Sequence, residues 1–195
     1  MKELRAYVLV LMGIICGLVW GGGCYGPTGS FARAFQAAPA VAMLAYDVPD
    51  GTPGGLNTGL AWTTRALNTE VFDPANIVTL SSNQFTLAAG TYLLEAGQTI
   101  FQNVDIQKSF RGRIRNVTAG TTVAVSCDVR LHEGPSESAT IVCPIPRTLV
   151  TIAAPTTFEL QYFCQNSDAS TNGLGFPMST GEVERYAFVS IEQVK

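Results

Sequence analysis

The residues best equipped for chemistry are five cysteines and one histidine, set among 15 acidic and 12 basic side chains in a chain of 195 residues. His132 stands beside Glu133 in a polar stretch and reads as solvated decoration. A histidine-based triad needs a positioned nucleophile and an orienting acid, and no serine here sits in a nucleophile-elbow pattern. Zinc spacings, a P-loop and a dinucleotide fingerprint are absent from the sequence. Asp47, Asp50 and Asp73 fall near turns without a dense set of oxygen ligands, so turn-making explains them better than calcium. A pair of glycosidase carboxylates can hide anywhere among the acids, but nothing singles one out. The reading is therefore a non-enzymatic protein without metal or cofactor.

The cysteines divide by position. Cys16 lies inside an apolar run, and Cys24 follows three glycines at its end. Cys127 and Cys143 stand eight positions either side of Pro135. In a hairpin centred there they face each other, so a disulfide is expected between them if the domain is exported. Cys164 reads as a buried free thiol.

What must hold these residues is a set of short β-rich runs separated by turns. Hydrophobic residues make up 47% of the chain and charged residues 14%, which leaves little for long solvated helices. Past Val41 no segment keeps a helical period. Runs appear at Val41–Val48, Leu60–Phe72, Asn76–Leu80, Gln84–Leu87, Thr91–Gln107 and Phe110–Val117. They continue at Thr121–Leu131, Ala139–Ile145, Thr157–Gln165 and Glu182–Val194. About ten strands without crossover helices mean a mostly antiparallel sandwich. Gly97 suggests a bulge or bend, and Pro144 and Pro146 should limit how far their strand pairs. Val123, Val125, Cys127 and Val129 are expected on one face. Arg111, Arg113 and Arg115 alternate on one strand face, read as solvated or as a charged contact with another subunit. The net charge of −3 and the absence of a long basic run argue against nucleic acid as a partner.

Ahead of the strands, Lys2 and Arg5 precede the uncharged apolar run Ala6 to Trp20. That is the build of a secretory signal, short for a comfortable membrane span. Gly21-Gly22-Gly23-Cys24 resembles a bacterial lipobox in which Cys24 takes the lipid, with Gly21 where a branched apolar residue belongs. A lipidated anchor, an uncleaved anchor and a cleaved signal all remain open. Residues 1–24 form this segment, 25–40 a linker and 41–195 the β-domain.

Four stretches, in order, carry a resemblance to C1q/TNF-like domains, in particular those of phage tail and virion proteins. They are Trp62-Thr63-Thr64-Arg65-Ala66-Leu67-Asn68-Thr69-Glu70, Ser82-Asn83-Gln84-Phe85-Thr86-Leu87-Ala88-Ala89-Gly90-Thr91-Tyr92, Arg113-Ile114-Arg115-Asn116-Val117-Thr118, and Leu160-Gln161-Tyr162-Phe163-Cys164 with Thr171-Asn172-Gly173-Leu174-Gly175. Gly90 is expected to relax a tight turn, and Asn172-Gly173 to take positive dihedrals. The resemblance implies a jelly roll of about ten strands that assembles as a homotrimer and so covers its sheet edges.

Three functions follow. The first is a trimeric virion structural or spike protein, meeting other virion or cell-surface proteins, a host receptor or a glycan. Its contact loops would be His132–Ser138 and Asn166–Gly173, with His132, Glu133, Ser136, Asn166, Asp168 and Asn172 as candidates. The second is a bacterial surface lipoprotein held to the membrane through Cys24. The third is a carbohydrate-active enzyme on a β-sandwich.

Overall fold

The computed structural model describes residues 38–103, 108–131, 138–167 and 170–194. The N-terminal segment with Cys24, most of the linker, and His132, Glu133, Ser136 and Asp168 lie outside the described residues.

Twelve strands and no helix make up the described chain. They are β1 (Ala40–Val48), β2 (Thr63–Thr64), β3 (Thr69–Phe72), β4 (Val78–Ser81), β5 (Gln84–Leu87) and β6 (Gly90–Asn103). There follow β7 (Lys108–Asn116), β8 (Thr121–Val125), β9 (Val129–Leu131), β10 (Ser138–Ile152), β11 (Thr156–Cys164) and β12 (Glu184–Val194). One sheet runs β10-β6-β12-β1-β3; the other runs β4-β5-β11-β7-β8, with β2 added to β11 and β9 to β7. Every pairing is antiparallel, and the chain passes back and forth between the sheets at most of its connections. That strand order is a jelly roll.

Alternation explains the layering. Tyr92, Leu94 and Ala96 of β6, Ala42 and Leu44 of β1, and Val189 and Ile191 of β12 point inward and are buried. They meet Phe85, Ile114, Phe158 and Leu160 from the second sheet in one core cluster. A second cluster at one end joins Ile100, Phe110, Tyr162, Cys164 and Leu174. Each large side chain so buried contributes roughly 1.5–3 kcal/mol.

Several expectations need correction. The stretch Leu60–Phe72 is two short strands in different sheets, and Thr121–Leu131 breaks at Ser126-Cys127-Asp128. Pairing does not stop at the prolines. β10 runs through both, with Pro144 opposite Gly97 and a register shift between Ile145 and Thr148. It can do so because β10 is the sheet's edge, where a missing N–H breaks no ladder on the open side. Gly97 makes no bulge; a Cβ there would stand 2.5 Å from the Phe188 ring, so the glycine makes room for an aromatic neighbour. Gly90 is not in a positive-φ conformation either, and beside it the Tyr92 hydroxyl donates to the Ala88 carbonyl at 3.1 Å. In the 172–175 turn, the positive φ belongs to Gly175 rather than to Asn172-Gly173.

The Cys127–Cys143 hairpin is not formed. β9 pairs with β7, whereas β10 pairs with β6 in the opposite sheet, where Cys143 faces Gln98. Both thiols are free, Cys127 exposed and Cys143 buried. Cys127 is also turned away by a one-residue slip in the β7–β8 ladder between Ile114 and Arg115. It turns Ala124 and Ser126 inward and leaves Val125 and Cys127 outside. The Cys143 thiol then donates to Ser126 Oγ at 3.0 Å, and burial pushes its pKa up. Cys164 is buried and free.

Candidate interaction faces

Two outward faces and one internal clasp emerge once side chains are followed along their strands. The first face is the outside of the β10-β6-β12-β1-β3 sheet. The residues alternating with its core-facing set are Leu149 opposite Leu93, Pro144 opposite Gly97, Gly97 opposite Phe188, and Phe188 opposite Ala45. Met43 lies opposite Phe72 at the far edge. Leu149 is 62% exposed, Val142 56% and Phe72 44%. Charge interrupts this face: Glu95 is exposed between Leu93 and Gly97, Arg147 pairs with Glu192 across the intervening strand, and Arg185 pairs with Asp47 toward the far edge. A sheet face of this composition, left to water, is unusual for a monomer.

The second face is a groove of about 650 Å³ on the outside of the other sheet. Register sets its floor. Arg111 of β7 lies opposite Phe163 of β11, and Tyr162 opposite Thr63 of β2, which brings Trp62 alongside Phe163. The two rings tilt together with centroids 5.7 Å apart. Arg113, next outward on β7, lays its guanidinium 4.0 Å from the centre of the Trp62 ring. Its Nε donates to Gln161 Oε1 at 2.7 Å and its Nη1 to Thr122 Oγ1 at 3.2 Å, so the cation beneath the indole is held by two strands. Burial lowers the Arg113 pKa, Arg115's charge lowers it further, and Glu159 opposes both. Arg111 Nε meets Asp128 Oδ1 at 2.8 Å on the groove wall. The alternating arginines do share one face, as the sequence implied, but Arg113 is a seat for a tryptophan rather than a solvated charge.

The third feature is Arg65, which sequence reasoning noted only as part of a family-like stretch. It is 1% exposed. Its Nη2 donates to the carbonyls of Leu174 at 3.0 Å and Tyr186 at 3.2 Å, and its Nη1 to that of Gly54 at 3.3 Å. The guanidinium also lies 5.4 Å from the Tyr46 ring centre. Desolvation lowers its pKa to about 10, with Tyr46, Tyr162 and Tyr186 acting in the opposite direction. It therefore stays charged at neutral pH. A signal was present: Arg65 has the same parity as Leu67, which is also buried.

Arg65 ties down the loop proposed from sequence as a contact loop. Gly54 N donates to Gly175 O at 2.9 Å, Gly55 N to Thr171 O at 2.8 Å, and Leu174 N to Gly55 O at 2.9 Å. Leu174 and its glycine neighbours are buried. Asn166, half-buried, accepts from Asn57 Nδ2 at 3.1 Å through its carbonyl, and Asn172, also half-buried, accepts from Gly175 N at 2.8 Å. The described part of this loop is thus built into the fold. Nearby, Glu184 Oε1 accepts from the N–H groups of Met178 and Ser179 at 2.9 Å and of Gly51 at 3.3 Å. The Ser179 bond leads in lowering the Glu184 pKa, aided by Gly51 and Met178 against desolvation. Asp73 makes its turn through bonds from Ile77 N at 3.0 Å and Val78 N at 2.9 Å.

No family model matches the chain, and no curated protein matches it. Among solved structures it is similar to crystal structures of murine APRIL. The structure at pH 8.0 is 11% identical with a TM-score of 0.47, covering 80% of this chain and 100% of that one. Those at pH 8.5 and pH 5.0 are 11% and 10% identical, with TM-scores of 0.44 and 0.47 over the same shares. The jelly roll itself rests on this chain's own strand order.

Proposed function

We propose that this protein is a non-enzymatic surface module whose jelly-roll head assembles as a homotrimer. The observation that carries the reading is the set of large apolar side chains on the outer face of the β10-β6-β12-β1-β3 sheet, where Val142, Leu149 and Phe72 stand exposed beside Leu93, Phe188 and Met43, with Glu95 and two ion pairs among them. Burying that face between copies removes it from water and covers the edge strands β10 and β3. The resemblance of Trp62–Thr69 and the three later stretches to phage C1q/TNF-like domains supports a virion structural, spike or receptor-binding protein. In that setting residues 1–24 serve as signal or anchor and residues 25–40 as linker to the head. A bacterial surface lipoprotein is the second reading, supported by Gly21-Gly22-Gly23-Cys24.

Sedimentation of the full chain in mild detergent tests the assembly, with Leu149→Asp as the probe. A trimer that the charge dissociates supports the reading. A wild-type monomer at micromolar concentration overturns it. Mass spectrometry of the native N-terminus separates the two settings: a diacylglyceryl group on Cys24 selects the lipoprotein, and an intact Met1 counts against it.

A further inference from the structure

The groove beside Trp62 has no part in that assembly, since it lies on the outside of the opposite sheet. We infer that it is a binding site for a saccharide bearing a carboxylate, with Trp62 and Phe163 as the platform and Arg111 as the carboxylate's partner.

Three observations lead there. The first is rigidity. An indole backed by Arg113, itself fixed by Gln161 and Thr122, sits in one place before any ligand arrives. Binding to it then orders little, and pre-organisation favours affinity. The two rings, their planes 54° apart, form an apolar angle against which the C–H face of a pyranose packs on one ring and its edge on the other, while fixed polar groups at the rim fix the orientation. Those rim groups are Arg111, Asp128 and Gln165.

The second observation is charge. The chain as a whole is acidic, at −3. Among the described residues, Arg111 and Arg130 line the groove, Arg113 lies under its tryptophan, and Asp128 is the lining carboxylate, engaged by Arg111. A guanidinium takes a carboxylate through paired, charge-assisted hydrogen bonds. Arg111 is 46% exposed at its side chain and Asp128 74%, so the pair can open toward an incoming anion.

The third observation separates a sugar from an acidic peptide. The floor strands have no free ladder to offer: β7 is bonded to β11 on one side and to β8 and β9 on the other, and β11 to β7 and to β5 and β2, so only the short wall strands β9 and β2, of three and two residues, keep an open edge among the described residues. An edge of two or three residues gives an added peptide strand little ladder to hold. Recognition must come from rings and side chains projecting off the sheet, which suits a compact polyol.

Ligand-observed saturation-transfer NMR and calorimetry on the full chain test this, with 3′-sialyllactose and a hyaluronan tetrasaccharide as acidic probes, lactose as the neutral control and a poly-glutamate peptide as the alternative. At least one acidic sugar should bind saturably, about tenfold or more tighter than lactose, and weaken as salt is raised. Trp62→Ala and Arg111→Ala should each lose about tenfold or more, with Trp62→Phe staying within about threefold, all three folded by circular dichroism. Failure of both acidic sugars overturns the assignment. So does lactose binding equally well, peptide binding without sugar binding, or unchanged affinity in folded Trp62→Ala.

Discussion

Replacing Arg65 by methionine tests how the fold pays for a buried cation. The guanidinium is 1% exposed and desolvation lowers its pKa to about 10, so burial works against the charge by on the order of 3 kcal/mol. Against this stand hydrogen bonds to the carbonyls of Gly54, Leu174 and Tyr186, each worth about 1.5–3 kcal/mol because the donor is charged. Arg65→Met removes the penalty and keeps most of the volume, but strips those bonds. Thr99 Oγ1, at 2.6 Å from Leu174 O and 3.2 Å from Tyr186 O, retains a partner for one of them, and Gly54 O is left bare. The net loss is about 3 kcal/mol. Urea unfolding followed by tryptophan fluorescence measures it, with protease sensitivity of the 170–175 loop as a local readout. A variant within about 1 kcal/mol of wild type, or more stable, refutes the claim that these carbonyls require the cation, since an apolar isostere would then serve as well.

Glu184 carries a pH dependence. Its folded pKa is depressed below the unfolded value, so its contribution is complete above the ordinary carboxylate range and disappears as pH falls through the folded pKa. The urea midpoint of wild type should fall more steeply than that of Glu184→Gln between pH 7 and acid, and parallel curves would contradict this. Gly54→Ala places a Cβ 2.6 Å from Leu174 O and 2.8 Å from Gly175 N; because the obstructing atoms are backbone rather than a flexible side chain, a loss of about 3 kcal/mol or more is expected by thermal unfolding. Gly120→Ala, at φ 70° with open space around it, should cost only the left-handed strain of about 1–2 kcal/mol. In the folded, reduced protein a thiol reagent should label Cys127 quickly and leave Cys143 and Cys164 protected until unfolding, as read by peptide mass mapping.

The sequence disclosed the layers better than the crossings. Period-two patterns placed most of the long strands, because one buried face imposes alternation. They failed where the chain bends out of the pattern. The slip at Ile114/Arg115 inverted the parity from Val125 to Cys127, and the hairpin on which the disulfide depended gave way to β9 and β10 joining opposite sheets. The prolines misled because their effect depends on edge or interior position, and strand order is a tertiary fact. The groove was invisible for the same reason: Trp62 and Phe163 are a hundred residues apart, and only register on β11 joins them. Arg65 shares the parity of buried Leu67, but nothing local records that it faces three carbonyls, or that Glu184 faces three N–H groups.

The claim that most needs a direct measurement is assembly through the apolar sheet face. Equilibrium sedimentation of the full chain in density-matched detergent gives the protein mass free of the micelle. A mass three times that of the 20.8 kDa chain, falling to one chain in Leu149→Asp while circular dichroism stays unchanged, is the expected result. A wild-type monomer across the micromolar range, or a trimer indifferent to a charge at Leu149, would contradict it.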